Sequence, residues 1–217
     1  MSNIRQVDEL FHYFYDPYLY GFSNDLLVKY VGSGAVTAID GKLRVVSSTL
    51  NTSGLFMFGR FRFQLTVPTA PTAGDSRVFG LYSRARGNRN AAYFYVSGTS
   101  LYTRTYNATS PVAESTTIPW DSAWTNVPIA YEVRWYKERI EFWVNGRRVS
   151  KHETKLPAPV LVPIYISNGN ADNLDFSYIE ACDVRKYFTA HQHGFTSTSS
   201  TSSSTSSSTS SSTSLIG

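Results

Sequence analysis

Two tryptophans lie close together in a segment that has the composition of a loop. Pro119-Trp120-Asp121-Ser122-Ala123-Trp124 places two large apolar rings outside any strand pattern, where they need an explanation. Flat aromatic rings beside a few polar groups suit a ligand site, so the pair is a candidate carbohydrate-binding site. The alternative is that both rings cap the edge of the domain. Polar residues that could line the same rim are Arg84, Arg86, Asn88 and Arg89.

A second candidate site is an oxygen-rich segment that contains Asn168, Asn170, Asp172, Asn173 and Asp175. Hard cations such as Ca²⁺ take oxygen ligands, which makes Asp172 and Asp175 weak candidates for a structural calcium site. Asn and Asp are also ordinary turn residues, because their side chains bond to nearby backbone. The turn interpretation is favoured, and no other cofactor is expected.

Residues for nucleophilic catalysis are sparse. The single cysteine, Cys182, excludes an intramolecular disulfide. It lies in Tyr-Ile-Glu-Ala-Cys-Asp-Val, which is typical of a strand, so we expect a buried structural thiol rather than a reactive one. The histidines lie in terminal or turn-like segments, where no catalytic pairing is evident. They are His12, His152, His191 and His193.

The charge pattern bears on partners. The net charge is +4, and several arginines between Arg77 and Arg104 are close in sequence. No recognition helix or zinc-ligand spacing accompanies them, so nucleic acid is not an expected partner. No stretch approaches the roughly 18 apolar residues of a membrane-spanning helix. The polar start lacks the apolar region of a secretory signal, so the protein is not exported by that route or a leader has been removed.

The elements that must position these residues are strands. Aromatic residues make up 15% of the chain and charged residues only 17%, a balance that favours β structure. In the segment Phe56–Val67 the apolar side chains Phe61, Phe63, Leu65 and Val67 share one face. Tyr131–Tyr136 and Ile140–Asn145 form the clearest hairpin, followed by a tight Asn145-Gly146 turn. Many short strands with no amphipathic helix between them predict one all-β sandwich over residues 16–188.

The two ends of the chain differ from this domain. In residues 1–15, Ile4, Val7, Leu10, Phe11 and Phe14 approximate a helical stripe, which predicts an aromatic arm. The arm either packs on its own sandwich as a short helix or docks on a neighbouring subunit. In the tail, residues 189–217, every position from 196 to 214 is Ser or Thr. Such a segment cannot bury apolar surface, so we expect an extended tether, either O-glycosylated or unmodified.

Two sequons are also present. Asn51-Thr-Ser and Asn107-Ala-Thr are candidate N-glycosylation sites if the host glycosylates this protein.

The hairpin carries a family resemblance. Tyr131-Glu-Val-Arg-Trp, followed by a strand that ends in Val-Asn-Gly and a Val after the turn, resembles the concanavalin A-like lectin/glucanase superfamily. That superfamily includes laminin-G-like modules and family 16 glycosidases. Gly34-Ala-Val-Thr-Ala-Ile-Asp-Gly-Lys-Leu-Arg-Val is similar to its opening hairpin, and Asn173–Ala181 to its closing strand. The resemblance covers about residues 16–186 and implies an antiparallel jelly-roll sandwich.

The resemblance also allows a test for catalysis. Retaining glycosidases need two carboxylates about 5–5.5 Å apart, which family 16 enzymes supply from one strand in the pattern Glu-x-Asp-x-x-Glu. That pattern is absent from this sequence. The nearest carboxylate pairs are Glu138 with Glu141 and Asp172 with Asp175, which we place at turns. No catalytic residue is therefore predicted.

The function expected from the sequence is non-enzymatic. We predict a structural or surface-display protein with a lectin-like domain, a capsid, spike or fibre component of a virion that binds glycans weakly. Its expected partners are copies of itself or other coat subunits, and its expected location is a virion or an extracellular surface. The alternatives are a diverged polysaccharide hydrolase or lyase, and a secreted cell-surface lectin or adhesin.

Overall fold

A computed structural model gives the fold. The structure describes residues 4–7, 10–15, 27–31, 34–83, 90–107, 112–160 and 162–184, with side chains from Gly34 onward except at 53, 54 and 182–184. These residues all belong to the first of the two units into which the chain divides, Met1–Tyr187. The predicted tail, residues 189–217, lies outside the described residues.

Sixteen strands form two antiparallel sheets in the described part of the chain. Their bounds are β1 Ile4–Val7, β2 Leu10–Tyr15, β3 Leu27–Val31, β4 Val36–Ile39, β5 Lys42–Val45, β6 Ser48–Phe56, β7 Gly59–Thr66, β8 Arg77–Ser83, β9 Asn90–Ser97, β10 Ser100–Tyr106, β11 Glu114–Pro119, β12 Pro128–Trp135, β13 Ile140–Val144, β14 Arg147–His152, β15 Val162–Asn168 and β16 Leu174–Val184. The nine-stranded sheet has the order β1-β2-β16-β7-β12-β13-β14, with β5 also paired to β16 and β4 to β5. The seven-stranded sheet has the order β11-β10-β9-β8-β15-β6-β3.

Helical structure is confined, within these ranges, to one 3-10 turn at Ser122–Trp124. In the described residues no helix is long and apolar enough to cross a membrane.

Aromatic rings from both sheets form the core between them. Phe79 of β8 has its ring centroid 5.9 Å from that of Phe63 in β7 and 4.9 Å from that of Tyr131 in β12. Phe94 of β9 contacts Phe142 of β13 at 5.2 Å. All five side chains are buried. The predicted all-β sandwich is thereby confirmed.

The period-two pattern of the sequence predicts the inner faces correctly. Phe61, Phe63, Leu65 and Val67 are buried, as are Ile140, Phe142 and Val144. The predicted single strand over Phe56–Val67 is, however, two strands. Phe58 and Gly59 have φ of 58° and 106°, which an extended strand does not allow. The chain therefore passes from β6 in one sheet to β7 in the other at this point.

The N-terminal arm is not a helix. Residues Ile4–Val7 and Leu10–Tyr15 form an antiparallel hairpin in which Val7 is paired with Leu10. The second strand of the hairpin pairs with β16, so the hairpin extends the nine-stranded sheet. The run Phe11-His-Tyr-Phe-Tyr is rich in residues that favour strands, and β16 offers its backbone as a partner, which outweighs the weak helical stripe. Docking of this arm on a neighbouring subunit stays a prediction.

A glycine at the middle of β8 permits close packing of the seven-stranded sheet. Gly80 has φ of 149°. A Cβ built there would lie 2.6 Å from the carbonyl oxygen of Ala92 and 2.6 Å from the Cα of Tyr93. Both atoms belong to the backbone of β9, so they cannot move aside as a flexible side chain would.

We therefore expect Gly80→Ala to lower the free energy of unfolding by about 3 kcal/mol or more, through a steric clash added to backbone strain. Gly74→Ala is the matched control, because Gly74 also has positive φ, 96°, but no atom lies within 4 Å of its built Cβ. The control is expected to cost about 1 kcal/mol. Urea denaturation of both variants measures the difference, and equal losses would show that the clash at Gly80 is relieved.

Candidate functional site

The outer face of the seven-stranded sheet is lined with tyrosines. In β9, Phe94 and Val96 enter the core, so the alternate residues Tyr93 and Tyr95 lie on the opposite face. The same alternation in β8, β10 and β15 places further tyrosines on this face. We call the set the tyrosine face; it consists of Tyr82, Tyr93, Tyr95, Tyr102, Tyr106 and Tyr165.

The tyrosine rings contact one another across strands. Tyr82 lies 4.9 Å from Tyr165 and 5.9 Å from Tyr93, measured between ring centroids. Tyr93 is stacked on Tyr106 at 6.2 Å with an interplanar angle of 18°. Tyr95 lies 5.8 Å from Tyr102. Burial raises the pKa of Tyr93 well above its ordinary value, and the neighbouring Tyr106 adds to the effect, so the Tyr93 hydroxyl stays protonated and can donate a hydrogen bond.

The strand register aligns a row of residues across this face, perpendicular to the strands. Successive cross-strand partners in the row are Ser115, Arg104, Tyr93, Gly80, Tyr165 and Asn51. At about 4.8 Å between strands, six strands span roughly 24 Å, which is long enough for an extended ligand. Two polar atoms in the row, Arg104 Nε and Asn51 Oδ1, are buried without a hydrogen-bond partner. Such atoms ordinarily have a partner in water or a ligand.

Arg104 provides the charge of this face. Its guanidinium carbon lies 4.7 Å from the ring centroid of Tyr95 and 5.2 Å from that of Tyr102. Cation–π contacts of this kind hold a guanidinium in a fixed orientation. Among the described residues, the outward positions of the seven-stranded sheet carry no Asp or Glu.

His152 lies beneath the same strands, on the inner side, and sequence analysis did not place it there. It ends β14 and is 1% exposed. Its Nδ1 is 3.0 Å from Thr105 Oγ1, and its Nε2 is 3.1 Å from Thr116 Oγ1. The prediction that all four histidines lie in terminal or turn-like segments is therefore wrong for His152. This histidine links the edge strand β11 and its neighbour β10 to the opposite sheet.

The outer face of the nine-stranded sheet is charged and internally paired. Glu132 of β12 accepts hydrogen bonds from Arg60 and Arg62 of β7 and from Arg134. Burial by itself raises the pKa of Glu132, but the hydrogen bonds from Arg134 and Arg60 outweigh it and hold that pKa below its ordinary value. A carboxylate in this state is a poor general acid at neutral pH.

A pocket of about 210 Å³ opens on this charged face. It is lined by Arg62, Glu132, Trp143 and Tyr178, together with Ala130, Tyr131 and Gly146. The Arg134 guanidinium lies 3.9 Å from the ring centroid of Trp143, so one face of that ring is already covered. Of the carboxylate pair Glu138 and Glu141, only Glu138 lies at a turn. Glu141 lies within β13, where it accepts hydrogen bonds from Arg139 and Trp143.

Trp120 and Trp124 pack against the core at the end of β11. Both are half-buried, and their ring centroids are 5.5 Å apart at 83°. Trp120 Nε1 donates to Thr125 Oγ1 at 3.1 Å. This placement favours the alternative that the two rings cap the sandwich edge, and a role in sugar binding stays a prediction. The other members of that candidate site, Arg84, Arg86 and Asn88, lie outside the described residues.

The oxygen-rich segment is held by arginines. Of the predicted turn pair Asp172 and Asp175, only Asp172 lies at a turn. Asp175 lies within β16 and accepts two hydrogen bonds from Arg44, both 2.8 Å. Asp172 accepts from Arg77, whose side chain is 1% exposed and also bonds Asp75. Asn168 bonds nearby backbone, as turn residues do: its Nδ2 donates to the carbonyl of Asp172 at 2.7 Å, and its Oδ1 accepts from Asn170 N–H at 3.1 Å. The Asn170 side chain instead accepts from Ser76 N–H and donates to Asp75. In the described ranges no group of three or more His, Cys, Asp or Glu side chains is arranged to hold a metal ion.

The two sequons differ in position. Asn51 lies within β6, with its Oδ1 buried, which argues against attachment of a glycan because acceptor sites are surface loops. Asn107 directly follows β10. Glycosylation at either residue stays a prediction.

Comparison with solved structures shows what this architecture is similar to. A β-glucanase from Bacillus licheniformis aligns with a TM-score of 0.63 at 13% identity, over 81% of this chain and 99% of that one. A β-1,3-1,4-glucanase (lichenase) from a mouse hindgut metagenome aligns with a TM-score of 0.60 at 16% identity, over 79% and 99%. Porphyranase B from Zobellia galactanivorans aligns with a TM-score of 0.61 at 9% identity, over 83% and 95%. No protein-family model and no curated protein matches the chain.

The chain has the concanavalin A-like jelly-roll fold. This confirms the resemblance found in the sequence. The same comparison contradicts the prediction of a non-enzymatic virion component, because the similar structures are named as glucanases and a porphyranase. It favours the alternative of a polysaccharide hydrolase, although identities of 9–16% bear on the fold and not on individual site residues.

The buried His152 leads to a prediction about pH. Burial lowers the pKa of His152, and only the nearby Glu114 opposes this effect. Above about pH 6.5, the ordinary pKa of histidine, the side chain is neutral in both the folded and the unfolded state. As the pH falls below that value, the unfolded state takes up the proton first, so the free energy of unfolding decreases.

We expect urea denaturation to show this decrease between pH 7 and pH 5, and His152→Gln to remove most of it. The other three histidines are present in both proteins. The difference between the two proteins in the slope of the free energy of unfolding against pH therefore reports His152 alone. Carboxylates with lowered pKa values, including Glu114, contribute below this interval. An unchanged slope in the variant would mean that His152 is protonated in the folded protein.

Proposed function

We propose that this protein binds a polysaccharide chain along the tyrosine face. The observation that carries the proposal is the aligned row of tyrosines, Arg104 and Asn51 across six strands of one sheet. Aromatic rings stack on the apolar faces of sugar rings, and hydroxyl, amide and guanidinium groups bond their hydroxyls.

Further support comes from the partial exposure of four of the six rings. Tyr82, Tyr95, Tyr102 and Tyr165 are half-buried, whereas Tyr93 and Tyr106 are buried, so the face presents parts of several aromatic rings to a ligand. The similar structures named as glucanases and a porphyranase are consistent with a polysaccharide as the ligand.

Substitution of the tyrosines tests this proposal. We expect Tyr95→Ala and Tyr102→Ala each to weaken binding about tenfold, because each removes an aromatic contact of roughly 1–2 kcal/mol. Affinity gel electrophoresis against laminarin, lichenan, agarose and κ-carrageenan measures the change for whichever polysaccharide the wild-type protein retards.

The matched control is Tyr136→Ala. Tyr136 is exposed in the β12–β13 turn, away from the tyrosine face, and also lies against an arginine, Arg139. Its substitution is expected to leave retardation unchanged. Equal losses in all three variants, or no retardation of the wild-type protein by any of the four polysaccharides, would contradict the proposal.

Cleavage of the bound polysaccharide is the second candidate function. The names of the similar structures favour it. Hydrolysis requires two carboxylates, and these would have to come from outside the described part of the tyrosine face. Cleavage is tested by incubating the wild-type protein with the four polysaccharides. Hydrolysis would produce new reducing ends, and elimination would produce an unsaturated product that absorbs ultraviolet light. Tyr95→Ala should reduce the rate. Binding without any product would exclude cleavage of these substrates and leave the binding proposal intact.

A further inference from the structure

Most arginines with described side chains form an ion pair with a carboxylate. Every described arginine side chain that is buried or half-buried lies within ion-pair distance of an Asp or Glu, except that of Arg104. The pairs are Arg44 with Asp175, Arg60 and Arg134 with Glu132, Arg62 with Glu132 and Glu180, Arg77 with Asp75 and Asp172, and Arg139 with Glu141.

Arg104 departs from this pattern, with no described carboxylate within ion-pair distance. It is instead enclosed by the rings of Tyr95 and Tyr102, and its Nε is buried without a hydrogen-bond partner. A partly desolvated cation without a counter-ion is unfavourable, and a donor without a partner adds a further cost. The cost of the uncompensated charge is removed when an anionic group binds beside the guanidinium, whereas the Nε donor itself is shielded.

The residues around Arg104 indicate the kind of molecule that would carry this anionic group. Its register partners are Tyr93 in β9 and Ser115 in β11. An anionic group against the guanidinium would therefore lie beside rings suited to sugar stacking. Neighbouring outward residues add rings and hydroxyls but, among the described residues, no opposing negative charge. The guanidinium fork matches planar carboxylate and tetrahedral sulfate groups.

We propose that the polysaccharide bound by the tyrosine face is acidic, with a sulfate or carboxylate group paired with Arg104. This inference rests on the proposed function and narrows it from polysaccharides in general to anionic ones. The net charge of +4 acts in the same direction, because it favours the approach of a polyanion.

Matched pairs of probes test the inference. κ-Carrageenan and its chemically desulfated form differ in the sulfate groups, whereas polygalacturonate and its methyl ester differ in the carboxylate charge. We expect the protein to bind at least one anionic polymer about tenfold or more tightly than its neutral partner, as a charge-assisted hydrogen bond would provide. The pair that shows the difference distinguishes sulfate from carboxylate.

Variants of Arg104 assign the effect to this residue. Arg104→Gln should abolish the preference, because it weakens binding of the anionic polymer about tenfold or more and binding of the neutral one much less. Arg104→Lys should restore part of the preference, because it keeps the charge but not the planar fork. Arg147→Gln, at an exposed position that starts β14 of the other sheet, removes the same charge and serves as the control. Thermal denaturation confirms that each variant is folded.

The outcomes separate this inference from the proposed function. Equal binding of charged and neutral polymers, with loss of both in Tyr95→Ala, would overturn the acidic ligand and retain the polysaccharide site. A preference for anionic polymers that Arg104→Gln and Arg147→Gln reduce equally would overturn the role of Arg104 in favour of general charge attraction. Absence of binding to all four of these polymers would overturn the acidic ligand, and the proposed function would fall with it only if laminarin, lichenan and agarose also fail to retard the protein.

Discussion

Phe79 packs against four aromatic rings between the two sheets, and the positions of the outward side chains depend on this contact. Its ring centroid lies between 4.9 and 6.4 Å from those of Phe63, Phe94, Tyr131 and Phe176. Ring pairs of this kind contribute about 0.5–1.5 kcal/mol each beyond the burial of their surface. Because Phe79 must face the core, its neighbours Val78 and Gly80 must face outward. The antiparallel register imposes the same alternation on β9, β10 and β15. The outward residues of these strands and of β8 form the tyrosine face.

The two outer faces of the sandwich satisfy their charges in different ways. On the nine-stranded sheet, arginines are bonded to glutamates of the same or neighbouring strands, as Arg60 and Arg62 are to Glu132. On the seven-stranded sheet, Arg104 meets aromatic rings instead. A surface whose charges are already paired gains little from a charged ligand, because those pairs would have to be broken. Arg104 lies against two rings and beside the Tyr93 hydroxyl, with no described carboxylate to neutralise it, so it retains an attraction for an anion.

The fold shared with other proteins does not determine the chemistry of the tyrosine face. The jelly roll aligns with glucanases over nearly their whole length, yet at 13–16% identity the side chains on that scaffold are largely its own. The described part of the tyrosine face offers rings, phenol hydroxyls, an amide and a guanidinium. Groups of this kind can stack on sugar rings and bond sugar hydroxyls, so the choice of ligand depends on these side chains more than on the shared fold.

The sequence by itself determined the all-β class and the inner faces of the strands in the sandwich, but not the N-terminal hairpin or the break between β6 and β7. Apolar alternation in Phe61, Phe63 and Leu65 is a local property, since successive side chains in a strand point to opposite faces whatever the partner strand is. Only the tertiary structure decided which outward residues meet. Tyr165 and Tyr93 lie on opposite sides of Gly80 because β15 and β9 both pair with β8. His152 likewise reaches Thr105 only because its strand lies across the core from β10. Such contacts depend on sheet order and register, which are set by the packing of the whole core and not by the residues that meet.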